Sequence, residues 1–178
     1  TGRMGGGYIR TYNNSGRETS YLGTGSDNSG QLRIYDKQGE TRSYIGDGYL
    51  QAYNQFGERT IFLGTGTNGG GYLRTYNFSG QESIYVGTGA DSSGQIRLYD
   101  NSGETGSFLG SGYFRTYNKF GKLTTFIGNA SDGGGYLRTN NKFETETVFL
   151  GTNNANEGLI NLNDKFGQSF WIRLNKKN

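Results

Sequence analysis

Glycine returns along this 178-residue chain on a fixed rhythm, and that rhythm limits the folds open to it more than any other feature. The glycines that open successive units are Gly7, Gly30, Gly48, Gly71, Gly94, Gly112, Gly135 and Gly158, at spacings of 23, 18, 23, 23, 18, 23 and 23 residues. A repeat of that length is the mark of a solenoid, a propeller or a linear array. A longer period overlies it: Gly7 to Gly71, Gly30 to Gly94 and Gly48 to Gly112 are each 64 residues. Segments 7–29 and 71–93 share 15 of 23 positions. Either three units complete one structural turn or a 64-residue module was duplicated, and the first is the working expectation.

Each unit follows G-Y-L-R-T-Y-N-x-x-G-E-x-x-x-F-L-G-T-G. The Tyr-Leu-Arg-Thr-Tyr segment alternates with period two and is rich in strand formers. Asn or Asp then stands three residues before Gly, as in Asn13 to Gly16, Asp36 to Gly39, Asn54 to Gly57 and Asn118 to Gly121. A type I turn favours that spacing, with the Asx side chain bonding forward to the backbone. A second strand closes on aromatic-aliphatic-Gly (Tyr21-Leu22-Gly23, Phe62-Leu63-Gly64), so a unit reads as strand, tight turn, strand, glycine-rich corner. Short units return through Gly46-Asp47-Gly48 or Gly110-Ser111-Gly112, and long ones insert five residues there. The expected fold is all-β: eight tandem β-hairpin repeats forming an elongated β-solenoid or a trimeric β-helix or β-prism fibre. Residues 1–6 read as a lead-in at a fragment start, 7–157 as seven hairpin repeats, and 158–178 as a divergent eighth repeat that caps or joins the array. Glu144 in place of a turn glycine and the lone Trp171 mark that end.

Composition narrows the function classes. Only 31% of residues are hydrophobic, and aromatics alone supply 15%. An ordinary globule would want more aliphatic side chains to offset its backbone entropy. Aromatics at fixed positions argue against disorder. With no His and no Cys, a Ser-His-Asp or Cys-His catalytic constellation and a thiolate metal site cannot form. The net charge of +3 is spread between interleaved acids and bases, without the basic stripe of a nucleic-acid binder. No apolar run reaches the roughly 18–20 residues of a membrane span.

Strand alternation sets Ile9 and Thr11 on one face and Tyr8, Arg10 and Tyr12 on the other. The same split separates Leu73 and Thr75 from Tyr72, Arg74 and Tyr76, and Phe114 and Thr116 from Tyr113, Arg115 and Tyr117. The aliphatic side is expected to pack inward, with Thr and Ser bonding across chains of an oligomer. The Tyr-Arg-Tyr face is expected to stack along the surface as a ladder, and it is the candidate platform for a sugar. The acids Glu18, Glu40, Glu58, Glu82 and Glu104 recur with the fold. That recurrence points to a structural role, so no enzyme is expected, and an interchain carboxylate pair acting on a polysaccharide stands as a third reading. Asp27, Asp91 and Asp132 hold one place in three long loops and are weak calcium candidates beside an Asx-turn reading. No cofactor is expected.

The segment Gly71 to Gly87 resembles the glycine-rich repeats of bacteriophage tail fibres and related bacterial surface proteins, which carry strings similar to Gly-x-Leu-x-Val-Tyr-Asn-x-x-Gly-Lys-x-x-x-x-Leu-Gly. The resemblance covers nearly all of residues 7–167. It implies a homotrimeric β-structured shaft that holds a receptor-binding tip away from a particle, and it carries no site residue over. The chain as a whole is expected to be a trimeric or filamentous shaft or attachment (receptor-binding) element on a virion or cell surface. Partners are then further copies of the chain and a cell-surface glycan or receptor. The hairpin repeats of choline-binding proteins and clostridial toxins are similar in length and imply a glycan-binding module. Those rely on Trp and Tyr cages, whereas this chain has its one Trp outside the seven regular units.

Overall fold

A computed structural model describes residues 6–174 except 68, 132, 154 and 156, and among the described residues it holds sixteen β-strands and no helix. The chain divides into two units, Thr1–Ser92 and Ser93–Asn178. The first carries β1 (Tyr8–Tyr12), β2 (Glu18–Thr24), β3 (Gly30–Tyr35), β4 (Thr41–Gly46), β5 (Tyr49–Tyr53), β6 (Arg59–Thr65), β7 (Gly71–Tyr76) and β8 (Glu82–Thr88). The second carries β9 (Gly94–Tyr99), β10 (Thr105–Gly110), β11 (Tyr113–Tyr117), β12 (Leu123–Asn129), β13 (Gly135–Asn140), β14 (Glu146–Thr152), β15 (Gly158–Asn163) and β16 (Ser169–Leu174). Within each unit every strand pairs antiparallel with the next in sequence. Contacts between strands inside a unit join sequence neighbours, so each unit is a single-layer meander.

Two kinds of connection alternate. At one edge lie the Asx turns. Asn13 Oδ1 accepts the N–H groups of Ser15 and Arg17, and the Gly16 N–H donates to the Asn13 carbonyl at 2.9 Å. Gly16 takes φ 74°, a left-handed geometry that glycine adopts without steric cost. The same geometry recurs at Asp36, Asn54, Asn77, Asp100, Asn118, Asn141 and Asp164. Each turn is followed by a β-bulge, which in the first hairpin leaves Thr19 unopposed between the pairs Thr11–Ser20 and Tyr12–Glu18. At the opposite edge, Asp47 (φ 49°) with Gly48 (φ 78°) and Ser111 (φ 51°) with Gly112 (φ 80°) make two-residue turns of the I′ class, whose twist matches that of the strands. The 18- and 23-residue rhythm is therefore a choice between this tight return and a longer loop.

The pattern does not stop where the sequence loses its turn glycine. Glu144 occupies the glycine position at φ 67°, keeps the turn hydrogen bond to Asn141 at 3.0 Å, and the hairpin of β13 and β14 forms as the others do. Residues 158–174 likewise form a hairpin, with Gly167 at φ 84°.

The expected inward side is the open one. In the first unit Ile9, Leu22, Leu32, Ile45, Leu50, Leu63, Leu73 and Val86 follow one another in cross-strand register. Ile9 is 64% exposed, and Leu22 and Leu63 about half exposed. In the second unit Ile96, Leu109, Phe114, Ile127, Leu137, Leu150 and Ile160 make the corresponding row. Among the described residues the one buried hydrophobic side chain is Phe126, on the ring-bearing face. With one layer per unit, aromatic side chains can cover one another along the sheet, while short aliphatic side chains cannot and stay more open.

Candidate functional site

The face carrying the expected Tyr-Arg-Tyr residues is built by glycine as much as by tyrosine. Gly23 faces Tyr8 across the strand pair, and the Tyr21 ring lies back along its own strand over Gly23. A methyl group at Gly23 would meet Tyr8 Cβ at 2.6 Å and the Tyr21 hydroxyl at 2.8 Å. Gly46, Gly64, Gly87, Gly110, Gly128 and Gly151 clear the same space. The glycine expected at a corner therefore lies within the strand and serves ring packing. Its signal in the sequence is an aromatic residue two positions earlier, on the same face.

With that space cleared, the rings form columns. In the first unit Tyr44, Tyr49, Phe62, Tyr72 and Tyr85 follow one another with centroids 5.1–5.8 Å apart. In the second, Phe108, Tyr113, Phe126, Tyr136 and Phe149 do so at 4.7–5.6 Å. Interplanar angles of 16–31° show that each ring turns its flat face to the next. The separate Tyr8–Tyr21 pair ends at Gln31, which holds the ring position of β3. Gln31 accepts a hydrogen bond from Arg33, and Gln95 accepts one from Arg97 in the same arrangement. This substitution on every third unit gives the 64-residue period a physical content.

The arginines lie over the columns. Arg10 sits 4.7 Å from the Tyr8 centroid, Arg74 4.7 Å from Tyr72 and Arg115 4.2 Å from Tyr113. Each expected trio thus shares a face: Tyr8, Arg10 and Tyr12 on β1, Tyr72, Arg74 and Tyr76 on β7, Tyr113, Arg115 and Tyr117 on β11. Arg10 bonds Tyr12 and pairs with Glu18 at 3.2 Å, which together raise its pKa despite partial desolvation. Arg74 loses by burial but gains more from Glu82 at 3.3 Å and from Tyr76, so its pKa also rises. Where Gln51 replaces the arginine, the facing acid is replaced as well: Arg59 stands there and lies 4.7 Å from the Tyr76 ring and 5.4 Å from Phe62. The cation over the rings is kept although its strand has changed.

Ring faces inside each column are covered by neighbouring rings and guanidinium groups, whereas Tyr8 and Tyr12 on β1 remain open to solvent. The Nε atoms of Arg33, Arg97, Arg115 and Arg138 are closed over without a hydrogen-bond partner, a desolvation cost that stacking offsets. Of the recurring acids, Glu18 and Glu82 are taken up in these ion pairs.

The long loops repeat the turn geometry of the other edge. Asp27 accepts the Ser29 hydroxyl at 2.8 Å and the Ser29 N–H at 3.1 Å, and these bonds lower its pKa. Asp91 is also engaged with neighbouring groups, and Asp132 lies outside the described residues. No group of three or more potential acid ligands comes together among the described residues. Nor is any described helix long and apolar enough to cross a membrane.

Several Thr and Ser hydroxyls on the aliphatic face are bonded within the chain. The Thr11 hydroxyl meets Thr19 and Ser20 at 2.7 Å each, and Thr75, Thr116 and Thr139 meet the bulge residues Ser83, Thr124 and Thr147. Sequence reading also missed the tips of the Asx turns, where Phe56, Phe78, Phe120, Phe143 and Phe166 stand out into solvent. Their signal was available: phenylalanine recurs in turns that elsewhere hold Ser15, Gln38 and Ser102.

No protein-family model matches this chain, and no curated protein matches it. Among solved structures, the Photorhabdus luminescens Tc holotoxin pore is similar over 88% of this chain and 12% of that chain, at 13% identity and a TM-score of 0.26. A likeness of that size carries no argument about this chain.

Proposed function

We propose that this chain is a non-catalytic structural segment of a fibre or attachment element outside a cell or on a virion, and that it self-associates through its aliphatic rows. The carrying observation is the exposed row from Ile9 to Val86 on a single-layer sheet, with its counterpart from Ile96 to Ile160. A sheet with one apolar face is stable when that face meets another layer. Eight strands spaced about 4.8 Å apart, each about 17 Å long, present roughly 650 Å² per unit, close to the ~800 Å² that each partner gives to a standard interface. The row floors an open groove bordered by Ile9, Leu22, Leu32 and Ile45, continued by Leu50, Leu63 and Leu73. The hydroxyls of Thr11, Ser20, Thr75, Thr116 and Thr139 on this face already have partners within the chain, which lowers the polar cost of burying it.

A homotrimer in which each chain supplies one wall of a shared interior fits these features better than a self-closed solenoid, since strand contacts within a unit join sequence neighbours. The test is mass in solution by light scattering, with small-angle scattering for shape. A rod near three times the 19.5 kDa chain mass is expected. Replacing Leu22, Leu63, Leu109 and Leu150 by Thr, which keeps strand propensity, is expected to dissociate it. A wild-type monomer across the working concentration range would sink the proposal.

A further inference from the structure

Three consecutive hairpins of the second unit end in the same pair of residues: Lys119-Phe120, Lys142-Phe143 and Lys165-Phe166. The three rings are 70%, 68% and 72% exposed. Each lysine Nζ lies over its own phenylalanine, 5.2, 4.9 and 4.9 Å from the centroid. The turn does not require an aromatic residue, since Ser15, Ser79 and Ser102 fill the same position elsewhere with the turn hydrogen bonds intact. Large apolar side chains kept in water by three neighbouring turns call for a partner.

We infer that these tips form a docking row for an anionic lipid surface. Successive tips lie two strands apart, about 10 Å, so the row extends about 20 Å. It is laced together: Asn141 Nδ2 donates to the Lys165 carbonyl at 3.1 Å, and Lys122 lies 3.9 Å from Glu144. An aromatic ring with an ammonium group beside it matches the interface of a bilayer, where the ring enters the headgroup boundary and the cation meets phosphate. The tip backbone suits that transfer. The Phe120, Phe143 and Phe166 N–H groups are each bonded to the Asx oxygen of their own turn at 2.9 Å, and the following N–H donates to the Asx carbonyl. These donors carry no orphan cost into a low-dielectric layer. Counting Lys119, Lys122, Lys142 and Lys165 against Glu144 and Asp164, four minus two leaves a net +2 along the row. The Phe56 and Phe78 tips of the first unit differ: their rings close edge to face on each other at 5.7 Å, without a lysine over them.

The experiment is co-sedimentation of the full chain with phosphatidylcholine vesicles, with and without phosphatidylserine. Partition onto the anionic vesicles that weakens with salt is the expected result. Changing Phe120, Phe143 and Phe166 together to Ser should lower that partition by about tenfold or more. The three single changes, each lowering it by about twofold, serve if the triple variant fails to fold. Changing Lys119, Lys142 and Lys165 to Asn should abolish the preference for anionic over zwitterionic vesicles. No partition by the wild type, or partition untouched by the phenylalanine changes, overturns the inference. Retention on a sulfated polysaccharide that survives the phenylalanine changes, without vesicle binding, overturns it in favour of a polyanion partner. Light scattering on the same samples reports assembly separately, so a monomer that still binds vesicles would refute self-association and leave the docking row standing.

Discussion

At the scale of single residues, much of this sheet is decided by where a side chain is missing. A Cβ at Gly128 would fall 2.5 Å from Tyr113 Cβ and 3.0 Å from the Gly112 carbonyl oxygen. Gly128→Ala is therefore expected to cost about 1–3 kcal/mol in urea denaturation, the range for overpacking, although alanine suits a strand better than glycine does in the open. Glu144 is the reverse case, a side chain held at φ 67° where the other turns place glycine. Glu144→Gly should raise stability by about 1 kcal/mol, because left-handed geometry costs a non-glycine residue about that much more than glycine's extra entropy. Tyr44 gives a pH signature. Burial, then its bonds to Tyr49 and Asp47, push its phenol up to about 12. A folded-state pKa above the ordinary value means that the neutral phenol is favoured by folding. Its contribution is whole below pH 10 and is lost as pH rises towards about 12, an interval that a thermal-melt series from pH 9 to 12 would reveal and Tyr44→Phe would flatten. None of these three could be read from composition, yet all lie in the spacing. The aromatic residue two before each glycine marks the cleared space, and Glu144 marks the strained turn.

At the scale of elements, the hairpins were legible because turn chemistry is local. An Asx side chain bonding two backbone N–H groups needs only four or five residues of sequence, and those residues state it. What covers a strand face depends on partners far along the chain or on another chain, so alternation separated the faces but could not say what lies against the aliphatic one. The ring columns show this most clearly. Gln31 lies between Gly23 and Gly46, both of which have room for a ring, as Gly46 and Gly64 do around Tyr49. Gln31→Tyr should fuse the Tyr8–Tyr21 pair with the five-ring column that starts at Tyr44. A gain of about 0.5–1.5 kcal/mol per new stacked pair is expected, less the hydrogen bond that Arg33 gives Gln31, and near-UV circular dichroism should strengthen with it.

At the scale of the whole molecule, the repeat makes length a variable. Removing residues 48–70 joins Asp47 to Gly71 ahead of Tyr72, recreating the Asp-Gly two-residue return that β4 already uses. The shortened chain is expected to keep its β-sheet circular dichroism, with its urea m-value lowered by about one-eighth, in proportion to the surface removed. The number and kind of units were legible from glycine spacing alone. The docking of faces was not, because the same alternation serves a single layer, a coil or a bundle of chains.

Pairing of each strand with its sequence neighbour has a consequence in time. Within the units the most widely separated ladder partners, such as Tyr8 with Gly23 or Tyr72 with Gly87, are 15 residues apart. Closing loops that short costs little entropy and places the chain at the low-contact-order end for a β-protein. Each hairpin can close as soon as it leaves the ribosome, before the next has been made, and growth then proceeds by adding strands to an edge already formed. Synthesis and folding can keep pace with each other, so the aliphatic rows are laid down in register strand by strand as the chain is made.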